Sequence, residues 1–549
     1  MSEPPPPAQM TGGDAIVRSL LREGVDTIFA LPGVQIYGLF DALARAGEEV
    51  RVVTPRHEQA AGYMAFGYAK ATGRTGVFAV VPGPGVLNAA AALSSAYATS
   101  TPMVCVTGQV PTPFIGAGKG HLHELPDQLA TMRTLTRWSE RIARPAQAPG
   151  LVAEAFRQTR SGRPRPVALE MPWEVFDQRE EVTLVEPSVA DAAPLADGAT
   201  LERAAELLLA ARNPMIMVGG GALDAAAEVR ELAELLQAPV VAFRSGRGIV
   251  ASDHPLGLSC AEGYERWPDT DVVVGIGSRL ELQWFRWPAQ PAEPRLIDID
   301  IEAQQTERVA ADLALVGDAA PTTAALTRLL REGGAERPSR AGEFEALKRA
   351  KDAEIERIQP HVGYLRAIRG VLPRDGFFVE ELCQAGFTSY YGFPVYEPRT
   401  FVTCGAQGTL GFGFPTALGV KAAYPQRKVV SITGDGGFQF GLQELATAAQ
   451  YGLDVVTVLF DNGAFGNVLR DQQRLYDGRV LGARLRNPDF VALAKSYGVR
   501  ATSVASPDAL ASALAQAFER CEPELVVVPV DPAAEVSPWE FLMPASQRP

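Results

Sequence analysis

The sequence predicts an α/β protein built from three doubly wound parallel-sheet domains. Short runs rich in β-branched and aromatic residues, such as DTIFALP, GVFAVVP and MVCVTGQ, alternate with helix-length segments along most of the 549 residues. Strands that alternate with helices in this way are typical of parallel sheets covered by helices on both faces. Two linker-like stretches, SVADAAPLADGAT and the region around Arg331 to Ala350, interrupt this alternation, so the chain divides into three units.

The predicted domain boundaries follow these interruptions. Residues 1–11 are a Pro-rich tail that we expect to be disordered, and the first domain follows over residues 12–182. The central domain covers residues 195–332 and contains the strand-like runs PMIMVGGG, DVVVGIGS and RLIDIDIE. The third domain covers residues 355–532 and contains SITGDGG, DVVTVLFDN and LVVVPVD. Residues 533–549 form a C-terminal tail, which either packs on the surface or folds over a site.

Composition and charge exclude several function classes. The chain has 51 Lys and Arg against 64 Asp and Glu, a net charge of −13, so it has no overall positive field that would attract nucleic acid or anionic lipid. The five cysteines are scattered and lack the CxxC spacing of a zinc site or redox pair. The sequence also lacks a signal-peptide pattern and an uncharged apolar run of about 18 residues. We therefore expect a cytoplasmic protein with no nucleic-acid or membrane partner.

The segment SITGDGGFQFGLQELATAAQYGLDVVTVLFDNGAFG is the most informative part of the chain. A predicted strand ends at the glycine turn 434–437, where backbone N–H groups could approach a phosphate, and the next strand ends at Asn462. Adjacent parallel strands would place Asp435 and Asn462 at the same edge of the sheet. With a carbonyl oxygen near Ala464, two phosphates and one water, they could complete an octahedral Mg²⁺ shell. Alternatively, Asp435 only caps a helix and Asn462 only forms a turn.

This segment resembles the metal and diphosphate motif of the thiamine diphosphate-dependent enzymes. The similarity is to the branch that includes acetolactate synthase, benzoylformate decarboxylase and 2-hydroxyacyl-CoA lyase. TCGAQGTLGFGFPTALG, RHEQAAGYMAFGYAKATG, FALPGVQIYGLFDAL and VPGPGVLN resemble further segments of these enzymes in the same domain order, so that the resemblance covers residues 12–545. It implies thiamine diphosphate and Mg²⁺ as cofactors. It also implies a homodimer at minimum, with a homotetramer expected, and a cofactor bound between two subunits.

The resemblance assigns roles to individual residues. Glu58 would by itself be a first-turn helix charge, but it matches the carboxyl group that hydrogen-bonds the aminopyrimidine ring of the cofactor and so activates the thiazolium carbon. Leu410 matches a bulky residue beneath the bent cofactor, although it could equally be a core leucine. The implied cofactor-binding residues are Pro32, Glu58, Asn88, Gly408, Leu410, Gly434, Asp435, Gly436, Gly437, Asn462, Phe465 and Gly466, and the implied metal ligands are Asp435, Asn462 and Ala464.

The substrate side is predicted from two loops. GAGKGHLHELPDQ carries His121 and His123 in a loop that reaches the active site in the relatives, where they could transfer protons together with Glu58 as catalytic residues; the alternative is that they are exposed or structural. Asn467 and Asp471 replace a Met and a Trp of acetolactate synthases, which argues against that activity and for a polar substrate, unless they lie on an exposed helical turn. The full predicted substrate set is Gln109, His121, His123, Asn467 and Asp471.

Three functions are compatible with this sequence. The favoured one is non-oxidative decarboxylation of a 2-oxo acid, followed by aldehyde release or carboligation. The alternatives are a lyase or hydrolase that acts on a 2-hydroxyacyl-CoA, a hydroxyketone or a dione, and, from a different class, a catalytically silent regulatory homologue. The substrate would be a small 2-oxo acid or hydroxyketone. Residues 219–221 are glycines but lack the full dinucleotide-binding pattern. The GMHG segment of the family members that bind FAD is not recognisable around CAEGYERW, so the resemblance implies that FAD is not expected.

Overall fold

The computed structural model describes residues 6–290 and 293–544 and contains three parallel six-stranded sheets with helices packed on them. This architecture confirms the predicted fold class. Each sheet falls within one of the three segments that the sequence separates, since its strands lie between residues 27 and 172, 214 and 316, or 377 and 529. Among the helices in the described ranges, none is long and apolar enough to cross a membrane.

The first domain has a sheet with the strand order β3-β2-β4-β5-β7-β6. Its elements are β1 (Ala8–Thr11), α1 (Gly12–Arg22), β2 (Thr27–Ala30), α2 (Tyr37–Ala46), β3 (Arg51–Val53), α3 (Glu58–Thr72), β4 (Gly76–Val80), α4 (Pro84–Ala98), β5 (Met103–Gln109), α5 (Gln128–Arg133), β6 (Trp138–Arg141), α6 (Ala148–Arg160), β7 (Pro166–Pro172), α7 (Trp173–Asp177) and β8 (Arg179–Val182). Strands β1 and β8 pair antiparallel outside this sheet. The expected disordered tail is therefore too long, because residues 8–11 are held in a strand; residues 1–5 lie outside the described residues.

The central domain has the strand order β11-β10-β9-β12-β13-β14. Its elements are α8 (Gly198–Ala210), β9 (Pro214–Val218), α9 (Ala226–Leu236), β10 (Val240–Ala242), β11 (Gly257–Ser259), α10 (Cys260–Arg266), β12 (Val272–Ile276), β13 (Arg295–Asp300), α11 (Ala303–Arg308), β14 (Leu313–Val316) and α12 (Ala319–Glu332). The second predicted linker contains a helix, α13 (Ala341–Ile355). It is ordered because Phe344 and Ile355 are buried in the hydrophobic core that the central and third domains share.

The third domain has the strand order β16-β15-β17-β18-β20-β19. Its elements are α14 (His361–Val371), β15 (Phe377–Val379), α15 (Gln384–Gly392), β16 (Phe401–Val402), α16 (Gly413–Ala423), β17 (Val429–Gly434), α17 (Asp435–Phe438), α18 (Leu445–Tyr451), β18 (Val455–Asp461), α19 (Gly466–Leu475), α20 (Phe490–Ser496), β19 (Arg500–Ser503), α21 (Pro507–Arg520), β20 (Glu524–Pro529) and α22 (Trp539–Leu542). Strands β17 and β18 are parallel neighbours, with Gly434 opposite Phe460. The residues that follow them therefore meet at one edge of the sheet.

Helices α3 and α16 join the first domain to the third. They approach closely at two glycines: a Cβ atom on Gly419 would lie 1.9 Å from the Met64 carbonyl oxygen, and one on Gly67 would lie 2.1 Å from the Thr416 carbonyl oxygen. The Phe412 ring packs edge-on against Tyr63, with ring centroids 5.4 Å apart. This contact fixes the start of α3, where Glu58 lies, relative to the loop that precedes α16.

Candidate cofactor and active site

Asp435 and Asn462 lie together at the carboxyl edge of the third sheet. Asp435 follows β17 and its side chain is buried, and Asn462 follows β18. The Ala464 N–H donates to both Asp435 Oδ2 and Asn462 Oδ1, at 3.2 Å each, so these two oxygens converge on one point. Burial raises the pKa of Asp435 to about 6, although a hydrogen bond from Asn487 opposes the shift. A carboxylate and an amide oxygen are the hard donors that Mg²⁺ prefers, so the donor set fits that ion.

Asn487 is a residue of this cluster that sequence reasoning missed. Its Nδ2 donates to Asp435 Oδ2 at 2.6 Å and to Asp461 Oδ1 at 2.7 Å, so it holds the two carboxylates in place. Asn487 precedes Pro488 in a loop, a pattern that in sequence indicates only a turn. Asn487 has this role because the loop between α19 and α20 lies against the carboxyl edge of the third sheet.

The glycine turn is closely packed on both sides. A Cβ atom on Gly436 would lie 2.5 Å from the Phe465 ring, and one on Gly437 would lie 2.3 Å from Glu381 Oε1. A Cβ atom on Gly466 would lie 2.8 Å from Asn462 Nδ2. The structure thus brings together the residues predicted for the diphosphate end, and these glycines leave no room for a side chain.

Glu58 and Asn88 are brought together at the opposite end of the predicted site. Glu58 is the first residue of α3, and Asn88 Nδ2 donates to Glu58 Oε2 at 3.0 Å. The preceding residue, His57, caps the helix by accepting from the Gln59 N–H at 3.1 Å. Because His57 supplies the cap, the Glu58 carboxylate is not needed for that purpose. Pro32, predicted for the same end, lies just after β2 and is exposed.

His123 lies near Glu58 and is held by a residue that the sequence did not single out. Gln35 is fully buried, and its Nε2 donates to the Leu122 carbonyl at 2.8 Å. Its Oε1 therefore faces His123 Nδ1, 3.1 Å away, so Nδ1 carries the proton and Nε2 is left as the acceptor. Partial burial lowers the pKa of His123; the Glu58 charge opposes this shift and His121 adds to it.

The loop that carries the two histidines is held by Glu124. Its carboxylate accepts the Gly118 N–H and the His121 N–H, both at 2.8 Å. The His121 ring packs against Phe114, with centroids 4.7 Å apart. His121 and His123 are therefore held by the protein in the loop that follows β5, and their catalytic role stays a prediction.

Leu410 and Gly408 lie in a loop that the buried side chain of Glu381 holds in place. The Glu381 carboxylate accepts the Gly411 N–H at 2.5 Å, the Gly413 N–H at 3.1 Å and the Thr433 hydroxyl at 2.9 Å. Burial raises the pKa of Glu381 to about 7. Leu410 is only half-buried and belongs to none of the hydrophobic core clusters in the described residues, so the core-leucine alternative has no support.

One of the predicted substrate residues, Asn467, contacts the C-terminal tail, and another, Gln109, faces inward. Asn467 donates to Asp471 at 3.3 Å and accepts from the Trp539 indole at 2.7 Å, so the tail covers this part of α19. Gln109 is buried, and its amide is occupied by Glu170 at 3.2 Å and by the Val110 N–H at 2.8 Å. The geometry therefore gives no support to the substrate role predicted for Gln109.

We call Asp435 and Asn462 the metal end of the predicted site, and Glu58 and Asn88 the pyrimidine end. Within the described ranges of this single chain, the two ends make no hydrogen bond or ion pair with each other. This separation is compatible with the implied site between two subunits.

A different cavity of about 620 Å³ lies between the first and central domains and is lined by Lys70, Arg163, Arg279, Asp300 and the glycines 219–221. Burial lowers the pKa of Lys70 to about 7. The absence of FAD stays a prediction.

Comparison with known families places three domains on this chain. Residues 10–131 match the N-terminal TPP binding domain of thiamine pyrophosphate enzymes, residues 201–326 match their central domain, and residues 383–528 match their C-terminal TPP binding domain. These matches correspond to the three sheets in chain order.

Several proteins are similar to the chain over nearly its whole length. A probable 2-ketoarginine decarboxylase of Pseudomonas aeruginosa is 36% identical over 90% of this chain and 89% of its own. A probable acetolactate synthase large subunit of Methanocaldococcus jannaschii is 34% identical over 95% of this chain and 92% of its own. The acetolactate synthase isozyme 3 large subunit of Escherichia coli is 32% identical over 97% of both.

Proposed function

Because this chain belongs to the thiamine pyrophosphate-dependent enzymes, we propose that it uses thiamine diphosphate and Mg²⁺ to decarboxylate a 2-oxo acid without oxidation. The product is either released as an aldehyde or joined to a second carbonyl compound. The observation that carries this proposal is the convergence of the Asp435 and Asn462 oxygens beside a glycine turn, at the end of two neighbouring parallel strands. The cofactor, when bound, supplies the electron sink that makes loss of CO₂ possible.

The metal end would hold the diphosphate. Asp435, Asn462 and the Ala464 carbonyl would offer oxygens to Mg²⁺, and the turn 434–437, which opens α17, would offer backbone N–H groups to the diphosphate. No cluster of three or more His, Cys, Asp or Glu suited to a metal occurs in the part of the chain that the structure describes. The diphosphate oxygens would therefore supply the remaining ligands.

Glu58 would exchange a proton with the aminopyrimidine ring. Its carboxylate is aimed by Asn88 at 3.0 Å and lies at the start of a buried helix. Such a fixed carboxyl group is suited to general acid–base work. His123 Nε2, which Gln35 leaves as the acceptor, would move a proton to or from the substrate or product.

The substrate that we propose is a 2-oxo acid with a polar or charged side chain. Asn467, Arg470 and Asp471 make the start of α19 polar, and Arg470 donates to Gln384 at 2.7 Å, which extends that polar surface. A relative named as a probable 2-ketoarginine decarboxylase supports the same substrate class. CO₂ release from pyruvate, benzoylformate and a guanidino 2-oxo acid should favour the last, and release from none of a broad panel would contradict decarboxylation.

We also propose a cytoplasmic homodimer at minimum, with a homotetramer as the full assembly. Large apolar side chains are exposed beside the predicted site, including Leu87 next to Asn88, Leu122 next to His123, and Phe440 against Gly411. A second copy of the chain would bury them while it completes the site. Sedimentation of the loaded enzyme would determine the assembly.

The role of Glu58 is tested by exchange of the cofactor's thiazolium proton for deuterium. Glu58→Gln keeps the shape of the side chain but cannot exchange the proton, so the exchange rate should fall by about a hundredfold or more while the cofactor still binds. The measurement is proton NMR of quenched samples. Glu48→Gln, a change at an exposed acid of the same domain, is the control and should exchange at the wild-type rate. Equal rates for Glu58→Gln and wild type would refute the assignment.

A further inference from the structure

The C-terminal segment reaches the candidate metal site through Glu535. Both of its carboxylate oxygens accept from Asn462 Nδ2, at 3.3 and 3.2 Å. We propose that Glu535, held by His361, is a positioning residue that turns the Asn462 amide so that its oxygen faces the metal. This inference rests on the proposed magnesium site, and it names residues that lie far from the glycine turn in sequence.

The two ends of the Asn462 amide differ in their hydrogen-bonding chemistry. The NH₂ group can only donate and a carboxylate can only accept, so Glu535 fixes Nδ2 on its own side of Asn462. The oxygen of the same amide then lies on the opposite side, where it accepts the Ala464 N–H at 3.2 Å. That N–H also donates to Asp435 Oδ2, so the amide oxygen is on the carboxylate side. A reversed amide would offer NH₂ to the metal, which binds only oxygen here.

Glu535 is itself held rigidly. Its side chain is 4% exposed, and His361 Nε2 lies 3.0 Å from Oε1 with a side chain that is 1% exposed. Because the carboxylate accepts, His361 Nε2 is the donor. The His361 ring packs edge-on against Phe460, the residue of β18 that lies two positions before Asn462, with centroids 5.7 Å apart. Val536 N–H donates to the Gln359 carbonyl at 3.0 Å, which ties the main chain at the same place.

If Glu535 had a purely structural role, its replacement would have a different effect. In that case the contact of Glu535 with His361 would only attach the tail to α14, and its loss would lower stability without a specific effect on the metal. Residues that orient metal ligands through hydrogen bonds typically change metal affinity 10- to 100-fold when they are replaced. Metal affinity, measured apart from turnover, therefore separates the two roles.

The first experiment measures Mn²⁺ binding to metal-free enzyme in the presence of thiamine diphosphate, with free Mn²⁺ read by electron paramagnetic resonance. Glu535→Ala should bind Mn²⁺ at least about tenfold more weakly than wild type. Glu535→Gln should lie between them, because its carbonyl oxygen can still accept from Asn462. Glu540→Ala, which removes an exposed partner of Arg357 in the same segment, is the control and should bind as wild type does. A Glu535→Ala affinity within twofold of wild type overturns the inference.

The second experiment repeats the comparison in an Asn462→Asp background. A carboxylate has two equivalent oxygens and needs no orientation, so Glu535→Ala should no longer weaken binding there and should strengthen it by removing a like charge. An equal loss in both backgrounds would show a structural role and overturn the inference. Glu535→Gln gives the same comparison without a cavity if the alanine variant does not fold. Wild-type enzyme that binds no Mn²⁺ would overturn the proposed function as well, which distinguishes the two failures.

Discussion

Gln35 determines which nitrogen of His123 is free to exchange a proton. It is fully buried and has a φ of +76°, in a backbone region that non-glycine residues rarely occupy. Such a conformation persists only where the surroundings enforce it, and here they direct Oε1 to His123 and Nε2 to the Leu122 carbonyl. The resemblance predicts His123 at the site, but the sequence does not identify the residue that selects its tautomer.

Asp298 makes the stability of the central domain depend on pH. It is fully buried on β13, and neither carboxylate oxygen has a hydrogen-bond partner in the ranges 6–290 and 293–544. Burial raises its pKa from 3.8 to about 8, and the Asp300 charge adds to the shift. The folded-state pKa lies above the unfolded one, so the stabilisation that this group provides is fully present below about pH 4 and is lost as the pH rises through about 8.

We therefore expect Asp298→Asn to remove this pH dependence. The difference in thermal midpoint between the variant and wild type should move in favour of the variant by several degrees from pH 5 to pH 8. Circular dichroism melts at the two pH values measure it. A difference that stays constant across this range would show that Asp298 does not titrate as its burial implies.

Helix α3 shows what can be predicted for an element and what cannot. The run RHEQAAGYMAFGYAKATG predicts a helix that begins near Glu58, and the structure has one over Glu58–Thr72. The periodicity of a single helix does not reveal which helix lies against it, so the close contact with α16 was not predicted. The second linker gave a similar result, since the helix α13 begins within the segment that was predicted to be a linker.

Gly419→Ala tests the contact between α3 and α16. The added Cβ would lie 1.9 Å from the Met64 carbonyl oxygen, so the helices must separate, at a cost of about 1–3 kcal/mol. The thermal midpoint should fall by several degrees, and cofactor binding should weaken because α3 carries Glu58. The matched control is Gly370→Ala in α14, where no atom lies within 4 Å of the new Cβ. Equal effects of the two substitutions would contradict this account of the packing.

At the scale of the whole molecule, the proposed site takes Glu58 from one subunit and Asp435 from another. Glu58→Gln and Asp435→Ala should each inactivate the homodimer. A hybrid dimer of the two variants, purified through two different tags, has one intact site and should recover about half of the wild-type activity. A hybrid of Asp435→Ala and Asn462→Ala is the control and should stay inactive, because both changes affect the same end. No recovery in the first hybrid would place both ends of the site within one chain.

Local patterns in the sequence were sufficient for the three α/β units and the turn at Asp435, because strand–helix alternation and turn chemistry involve neighbouring residues. The family followed from the resemblance of several segments to known enzymes. The tertiary structure alone decided the partners that orient these groups. Asn487 meets Asp435 across 52 residues, Glu535 meets Asn462 across 73, and Gln35 meets His123 across 88. Such contacts exist only after the sheets have formed and the loops and C-terminal tail have packed on their edges, so the sequence alone does not reveal them.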